Sequence, residues 1–495
     1  MGMDVSRRNV VKGAGVASLG AAALGAATVC SAARADEASS FALSPKYDVD
    51  VLVVGCGLAG LTAAIHAIEL GVDPERLLVI EKAPDGGVAW GGSSMVCKGN
   101  FLLPVSDDED AKQAYVDAIY TSSGNVGDRD LLYVLADNGY RLIDWLIDKG
   151  CEYTELVDYK EGLCQRTMAG DGNVVNLRNA LEGLGGTIVF DTRAIALTTD
   201  ARGICGVTAC DADGYFTIQA KTTILCTGGI LGNTEQMQDF IGDSAGLITS
   251  RTQKTVSGDG ITMARAVGAV MAPNSYGPEA IYLTCSHEDN LERGNAVHSL
   301  PYGIAVNTNG QRFCDEALAK TKEQQFDRSL ANQPACRMGV LADSKAFEDL
   351  QPAFERYEGY GLDTHYFDTI EEVAAFFGCD ASALQATIDD YNAHVVDDHT
   401  EGLAVEKTAY ARTIDTPPYY AAFPYRLASS LTYVGISADT TGHVVYADGT
   451  PIRHLYCAGE IIGGCFHDEY MGGSQQAKAA IFGYVAAEHA VAELA

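Results

Sequence analysis

An α/β fold is predicted by three adjacent features of the chain. Residues 48–54 form a short apolar run of the kind a buried parallel strand needs. Gly55-Cys56-Gly57-Leu58-Ala59-Gly60 follows at once, and residues 61–70 then carry helical composition and periodicity. Residues 77–80 form a second apolar strand, closed by Glu81. Strand, G-x-G-x-x-G, helix, strand and acid is the Rossmann-like order for binding a dinucleotide. Gly55 permits the tight turn, Gly57 lets a pyrophosphate approach the backbone, and Gly60 lets helix and strand pack closely. The helix N-terminus, with Leu58 and Ala59 in its first turn, faces the phosphates with its partial positive charge. Glu81, 21 residues after Gly60, is placed to accept both ribose hydroxyls and disfavours a 2′-phosphate.

The residues ahead of this unit read as an address. Ser6-Arg7-Arg8-Asn9-Val10-Val11-Lys12 is a twin-arginine pattern, and a weakly apolar Ala/Gly-rich run follows it to about Val29. Ala33-Arg34-Ala35 offers a small-x-small cleavage site. The run is short and poor in Leu and Ile, so residues 1–35 are expected to be a signal peptide, not an anchor. The twin-arginine route carries folded proteins, which suits a chain that binds a cofactor before leaving the cytoplasm. The expected location is the periplasm or another extracytoplasmic face. No later segment is long and apolar enough to span a bilayer.

Sixty-six acidic against 34 basic residues give a net charge of −32. A surface that anionic repels phosphate backbones, which argues against nucleic-acid binding. The chain has 14 Cys but no C-x-x-C, hence no thioredoxin-like pair, zinc-ribbon pair or haem-attachment site. No metal site is read from the sequence. The cysteines, several inside apolar runs as Cys226 and Cys457 are, are expected to be mostly reduced.

Three further segments bear on which dinucleotide is bound. Residues 221–226 form an apolar strand that runs into Thr227-Gly228-Gly229. Gly258-Asp259-Gly260 opens a helix over 261–267. Near the C-terminus, a strand over 455–458 ends in Gly459-Glu460, and Met471-Gly472-Gly473-Ser474-Gln475-Gln476 opens a last helix. A Gly-rich turn at a helix start can set backbone N–H groups against a flavin ring carbonyl and stabilise negative charge on the reduced ring.

Together these segments resemble the FAD-binding flavoprotein family of fumarate reductases, succinate dehydrogenases, urocanate reductases and 3-ketosteroid dehydrogenases. The matching motifs are GCGLAG, VIEKAP, GGSS, ILCTGGILGN, GDGITMARAVGA, NTNGQRFCDE, LYCAGE and GGSQQAKAAIFG, in family order from about residue 48 to the C-terminus. The resemblance implies a Rossmann-like FAD-binding domain in two parts, 36–275 and 430–495. An inserted α+β capping domain at 276–429 would close over the substrate. The helix-rich pattern of 368–391, with Asp380 as a cap, fits such a lobe. It implies FAD as cofactor, with Gly55, Gly57, Gly60, Glu81 and Lys82 on the ADP half and Gly92, Ser93 and Ser94 near the flavin. Thr227, Gly228 and Asp259 would frame the adenosine side, while Gly459, Glu460, Gly473, Ser474 and Gln475 would take the ribityl chain and ring.

The substrate positions depart from the fumarate-type pattern. Those enzymes clamp a dicarboxylate with Arg and His, since a guanidinium binds carboxylates bidentately. The Arg expected before the last Gly-Gly is Tyr470 here, and Ser429-Ser430-Leu431-Thr432-Tyr433-Val434-Gly435 holds no His. The position of the family's proton-donating Arg, a few residues after Arg312-Phe313-Cys314-Asp315-Glu316, falls near Lys320. These departures favour a neutral or mono-anionic α,β-unsaturated carbonyl compound. Tyr470, with the backbone N–H groups of Gly472 and Gly473, would polarise the carbonyl as 3-ketosteroid dehydrogenases do. Hydride would pass between flavin N5 and the β-carbon, and Lys320, Tyr302 and Tyr433 are the candidate acids. Arg312 is read as a relay or support residue paired with Glu316. A fumarate-type dicarboxylate reductase and a 3-ketosteroid dehydrogenase working oxidatively are the alternatives.

A flavoprotein disulfide or NAD(P)H reductase is disfavoured, because no redox Cys pair follows Glu81 and no second G-x-G-x-x-G is present. A flavin-binding protein that has lost catalysis is a third reading. With no haem motif and no FMN-attachment segment, electrons are expected from an external protein such as a membrane or multihaem cytochrome.

Overall fold

The chain enters its first sheet at β1 (Pro45–Val54), whose last residues are buried on both faces, and turns into α1 (Leu58–Glu69). It returns as β2 (Leu77–Ile80), buried throughout and parallel to β1 from Val51↔Leu77 to Val54↔Ile80. The turn depends on glycine at two points. Gly55 has φ +102°, and a Cβ there would lie 2.5 Å from the Cys226 carbonyl oxygen. A Cβ at Gly60 would lie 1.9 Å from the Gly55 carbonyl oxygen, so only glycine lets α1 start this close to the strand.

This computed structural model describes residues 43–494, except Val88, Cys97, Lys98, Glu161, Gly170, Asp171, Glu292, Arg293 and Asp363. The expected signal at 1–35 lies outside the described residues. Pro45–Ala495 form one compact unit.

The first sheet has eight strands. Its path runs His443–Val445, Pro451–Cys457, Gly214–Leu225, β1, β2 and Thr187–Val189, parallel from Pro451–Cys457 onward. Arg193–Asp200 and Gly203–Asp211 extend it as an antiparallel hairpin on Gly214–Leu225. The strand expected at 221–226 is therefore longer than its apolar run. Residues 214–221 largely alternate between buried and more exposed, as a strand with one solvated face does, and only the last four are buried on both sides.

The second sheet belongs to the inserted lobe. Tyr419–Ser429 is its centre, antiparallel to β3 (Thr284–His287), to Arg337–Asp343 and to His365–Phe367, with Ile304–Asn307 on the far side of Arg337–Asp343. The pair Thr249–Ser250 joins it in parallel against Ala428 and Ser429. A separate apolar cluster, including Ile304, Val306, Leu341, Val373, Phe377 and Leu384, fills this lobe. Ile370–Phe377 starts with a capping box on Thr369, and Ala381–Ala393 starts at Asp380, which accepts from Ala383 N at 2.9 Å as its pattern predicts. α2 (Glu323–Ala331) lies along β3: Gln324 brackets Leu283 through its backbone N–H and C=O at 2.6 and 3.0 Å, and Asp327 accepts from Cys285 N at 3.0 Å.

α3 (Ser474–Ala492) closes the chain and packs on α1, where a Cβ at Gly483 would come within 2.4 Å of the Ala59 carbonyl. The described cysteines are free thiols, including Cys226 and Cys457 in the core. Among the described residues no helix is long and apolar enough to cross a membrane.

Candidate active site

A cavity of about 350 Å³ follows the C-terminal ends of β1, β2 and Gly214–Leu225 and continues past the start of α3. Ligands of open α/β sheets bind at that edge. Gly55, Gly57, Leu58 and Ala59 line one end with the first turn of α1. The Glu81 carboxylate is held in place by backbone N–H groups, Oε2 accepting from Cys56 at 3.2 Å and Oε1 from Ala83 at 2.9 Å. Asp259 is clamped from two sides. Arg193 approaches it bidentately at 2.8 and 2.8 Å, and Lys82 reaches it at 2.9 Å and Ser257 at 2.7 Å. Burial would raise the Asp259 carboxyl, but these two cations hold it below the usual carboxylate range.

Further along, Gly92, Ser93, Ser94, Thr227, Gly228, Gly459, Glu460, Gly473 and Gln475 line the wall. Ser94 accepts from the Leu58 N–H at 3.3 Å, and Ser93 accepts from Thr252 Oγ1 at 2.7 Å. Glu460 Oε1 accepts from Thr432 N at 2.9 Å and from its Oγ1 at 3.2 Å; burial pushes its carboxyl up. Gly60 and Ser474 stand just behind the lining. Gly60 sets the helix approach, and Ser474 donates to the Met471 carbonyl at 2.7 Å.

Three polar atoms on this wall test which ligand fits. Thr227 Oγ1 and both amide atoms of Gln475 are buried with no hydrogen-bond partner in the protein, yet both residues border the cavity. Buried polar atoms are rarely left so. The ribityl hydroxyls and the carbonyl and N–H edge of a flavin would satisfy them, Glu81 suits a ribose diol, and the N-termini of α1 and α3 suit a pyrophosphate and a ring that gains negative charge. The residues present fit FAD.

The far end is lined by Arg251, Tyr282, Ser430, Leu431, Tyr470 and Gly472. The Tyr470 hydroxyl accepts from the Gln475 N–H at 3.3 Å, and its ring lies 4.9 Å from that of Tyr282 and 6.4 Å from that of Tyr433. The Gly472 N–H donates to Tyr159 at 3.1 Å. Arg251 donates to Thr284 Oγ1 at 3.2 Å. Burial pushes the Tyr282 hydroxyl well up, helped by the acids Glu323 and Asp327 and opposed by Arg251.

Of the candidate catalytic residues, the fold brings Tyr470 to the cavity. Tyr433 is 2% exposed, stacked behind Tyr470 and outside the lining. Lys320 is exposed in the lobe, donating to Tyr302 at 2.5 Å and standing over the rings of Tyr302 and Tyr410 at 4.5 and 4.7 Å; neither Lys320 nor Tyr302 borders the cavity. Arg312 is buried against Glu316 with contacts of 2.9 and 2.8 Å, and Lys407 lies 4.0 Å from Glu316 and donates to the Gly303 carbonyl at 2.5 Å. Burial lowers Lys407 to about 8 against the pull of Glu316. This cluster lies away from the cavity lining, with Arg312 held in the lobe by Glu316.

Arg193, Arg251 and Tyr282 are cavity residues that the motifs did not reveal. Arg193 had a usable signal, since it follows a short β-prone run at the edge where ligands bind. Tyr282 and Arg251 carry no local pattern, because the pairing of Thr249–Ser250 and β3 with Tyr419–Ser429 brings them together.

The comparisons with known proteins agree with this geometry. The family described as FAD binding domain matches residues 50–476. A probable fumarate reductase of Shewanella frigidimarina (strain NCIMB 400) is 26% identical, covering 91% of this chain and 76% of its own. The urocanate reductase of Eggerthella lenta is 27% identical over 90% of this chain and 75% of its own. Among solved structures, the 3-ketosteroid Δ4-(5α)-dehydrogenase of Rhodococcus jostii RHA1 superposes with a TM-score of 0.67 at 20% identity, covering 92% of this chain and 99% of that one. That likeness establishes the fold.

Proposed function

The chain belongs to the FAD-binding domain family and is an FAD-dependent oxidoreductase acting on CH–CH groups, and we propose that it reduces the C=C bond of a neutral or mono-anionic α,β-unsaturated carbonyl compound. The observation that carries this reading is Tyr470 at the ring end of the cavity, where fumarate-type enzymes use a guanidinium. The Tyr470 hydroxyl accepts from Gln475 N, and a phenol is a donor as well as an acceptor, suited to a carbonyl oxygen. The Gly472 N–H is engaged by Tyr159, so backbone polarisation of the carbonyl falls to Gly473 and the first turn of α3. Bound FAD supplies the hydride, at ring N5. Tyr470 holds negative charge on the carbonyl oxygen as the β-carbon is reduced, and the α-carbon then takes a proton. In the opposite direction the same groups would desaturate a ketone.

Arg251 supports the charge limit on the substrate. One guanidinium at this end can anchor one carboxylate, whereas a dicarboxylate clamp uses several. The domain limits we propose are 36–275 and 430–495 for the FAD-binding part and 276–429 for the cap, which would exclude water on closure. We also propose twin-arginine export and an external electron carrier, such as a multihaem or quinol-linked cytochrome. NADH alone reducing the protein at a physiological rate would refute the external carrier.

The deciding experiment reduces the FAD-loaded protein chemically and follows flavin absorbance as enones, monocarboxylic enoates and dicarboxylic enoates are added. Reoxidation by enones or monocarboxylates is expected. Reoxidation by dicarboxylates only would overturn the proposed substrate class.

A further inference from the structure

We propose that Tyr282 is the proton donor to the substrate α-carbon and that two carboxyls on α2, the part-buried Glu323 and the buried Asp327, form the store that refills it. The inference rests on the reading of the cavity as a C=C reductase site and names a group which that reading leaves open.

Tyr282 is the hydroxyl-bearing side chain on the lobe's wall of the cavity, facing Tyr470 with ring centroids 4.9 Å apart. A carbonyl held by Tyr470 would present its neighbouring carbon toward Tyr282. Behind Tyr282 the protein holds a run of carboxyls. Gln324 grips Leu283 and Asp327 grips Cys285, so α2 presents one face to the strand that follows Tyr282. Glu323 and Asp327 are four residues apart, hence neighbours on one helix face. Asp327 is 1% exposed, and its Oδ2 is buried without a hydrogen-bond partner. Glu323 accepts from Asn295 Nδ2 at 3.1 Å. Glu469 adds negative charge beside both carboxyls, Arg251 and Lys160 oppose it at Glu323, and hydrogen bonds from Cys285 oppose it at Asp327. Burial, then Glu469 for Glu323 and Glu323 for Asp327, pushes both carboxyls up and so favours their protonated forms. A carboxyl that favours its proton, on the helix bonded to the strand just after Tyr282, is what a proton store requires. Lys320, at the position where the family resemblance expects the donor, is exposed and off the cavity.

The step balances. Two electrons arrive at the β-carbon as hydride, drawn ultimately from the external carrier. The C=C π pair becomes the α-carbon–hydrogen bond as the Tyr282 O–H breaks, leaving a phenolate. The Glu323 carboxyl O–H then breaks to restore the phenol, Asp327 shares its proton with Glu323, and solvent returns one proton per turnover. Tyr282 touches the reacting carbon; Glu323 and Asp327 act through it.

The test uses the FAD-loaded protein. Tyr282→Phe is expected to slow reoxidation by a productive acceptor about 10²–10⁴-fold, while FAD content and chemical reduction of the flavin stay unchanged. Glu323→Gln is expected to move the high-pH fall of turnover to lower pH. Independently of turnover, infrared spectra of the oxidised wild type at neutral pH should show the C=O stretch of protonated carboxyl, reduced in Glu323→Gln and in Asp327→Asn. Asp327→Asn keeps the acceptor for Cys285 N and so spares the fold. Turnover of Tyr282→Phe within about threefold of wild type overturns the donor role. A wild type without the protonated-carboxyl band, or a band unchanged in both variants, overturns the store. A wild type that no unsaturated carbonyl reoxidises overturns the substrate reading and the donor role with it, while the infrared result still decides the store.

Discussion

The Glu469 carboxylate caps α2 across a gap of 145 residues: Oε2 accepts from the Gln324 N–H at 3.2 Å and Oε1 from the Gln325 N–H at 3.2 Å. Its neighbours share the task, since Asp468 pairs with Arg328 on the same helix and Tyr470 enters the cavity. The segment that carries Tyr470 is thereby tied to the lobe that carries Tyr282. An acid at a helix N-terminus meets unsatisfied N–H groups and the positive end of the helix. The rings of Tyr470 and Tyr282, 4.9 Å apart, stand on segments that α2 holds from both sides.

Glu81→Ala should weaken FAD binding about tenfold or more, the scale of a lost hydrogen bond to a charged acceptor. Titrating apoprotein with FAD and following flavin fluorescence measures it, and unchanged affinity would refute the ribose role. The variant also frees the Cys56 and Ala83 N–H groups, so part of the loss reflects a loosened turn.

Tyr470→Phe should lower turnover about 10²–10³-fold with FAD still bound, as expected for removing one donor to a developing oxyanion. Lys320→Met is the matched contrast. An exposed ammonium stacked on Tyr302 and Tyr410 is expected to change turnover less than about threefold. A large loss in Lys320→Met with normal turnover in Tyr470→Phe would reverse the assignment. Steady-state rates with one productive acceptor suffice for both.

Arg312→Met should destabilise the protein by about 3–5 kcal/mol, because it strands the fully buried Glu316 beside a Lys407 whose own charge burial disfavours. Denaturant unfolding of the lobe reports this, and FAD affinity of the folded variant should change little. A variant as stable as wild type would show that Lys407 alone balances Glu316.

Acid should loosen the adenosine end. Asp259 titrates below the ordinary carboxylate range in the folded protein, so its stabilisation is present above about pH 4 and is lost as pH falls further. In Asp259→Asn that loss should vanish. Melting temperatures of the two proteins, compared from pH 7 down to pH 3, should differ most at neutral pH and converge on acidification. A gap that widens in acid would contradict the clamp.

The cofactor half of the site could be read in the sequence because it is local. The turn from β1 to α1, the acid after β2 and the glycines before α3 each act within a few residues, so spacing alone carries their geometry. The substrate half is assembled by register. Arg251 and Tyr282 reach one wall because two strands from different parts of the chain pair with Tyr419–Ser429, and no window of sequence contains that fact. Lys320 shows the converse. It stands where the motif order expects the donor, yet its short helix Leu318–Thr321 leaves the side chain on the lobe's surface. The expected strand at 221–226 was short for a different reason, since its first half alternates in burial and pairs with the strand just before it, Gly203–Asp211.

The pairing of Lys82 and Arg193 with Asp259 has a consequence for how this strongly anionic protein keeps a doubly charged guest. Lys82 and Arg193 are already paired with Asp259, so the diphosphate of bound FAD would rest on peptide dipoles from the first turn of α1, which carry no mobile counter-ions to release. Retention of the yellow prosthetic group should therefore be nearly indifferent to ionic strength, and a column run in concentrated salt would elute the protein with its colour intact.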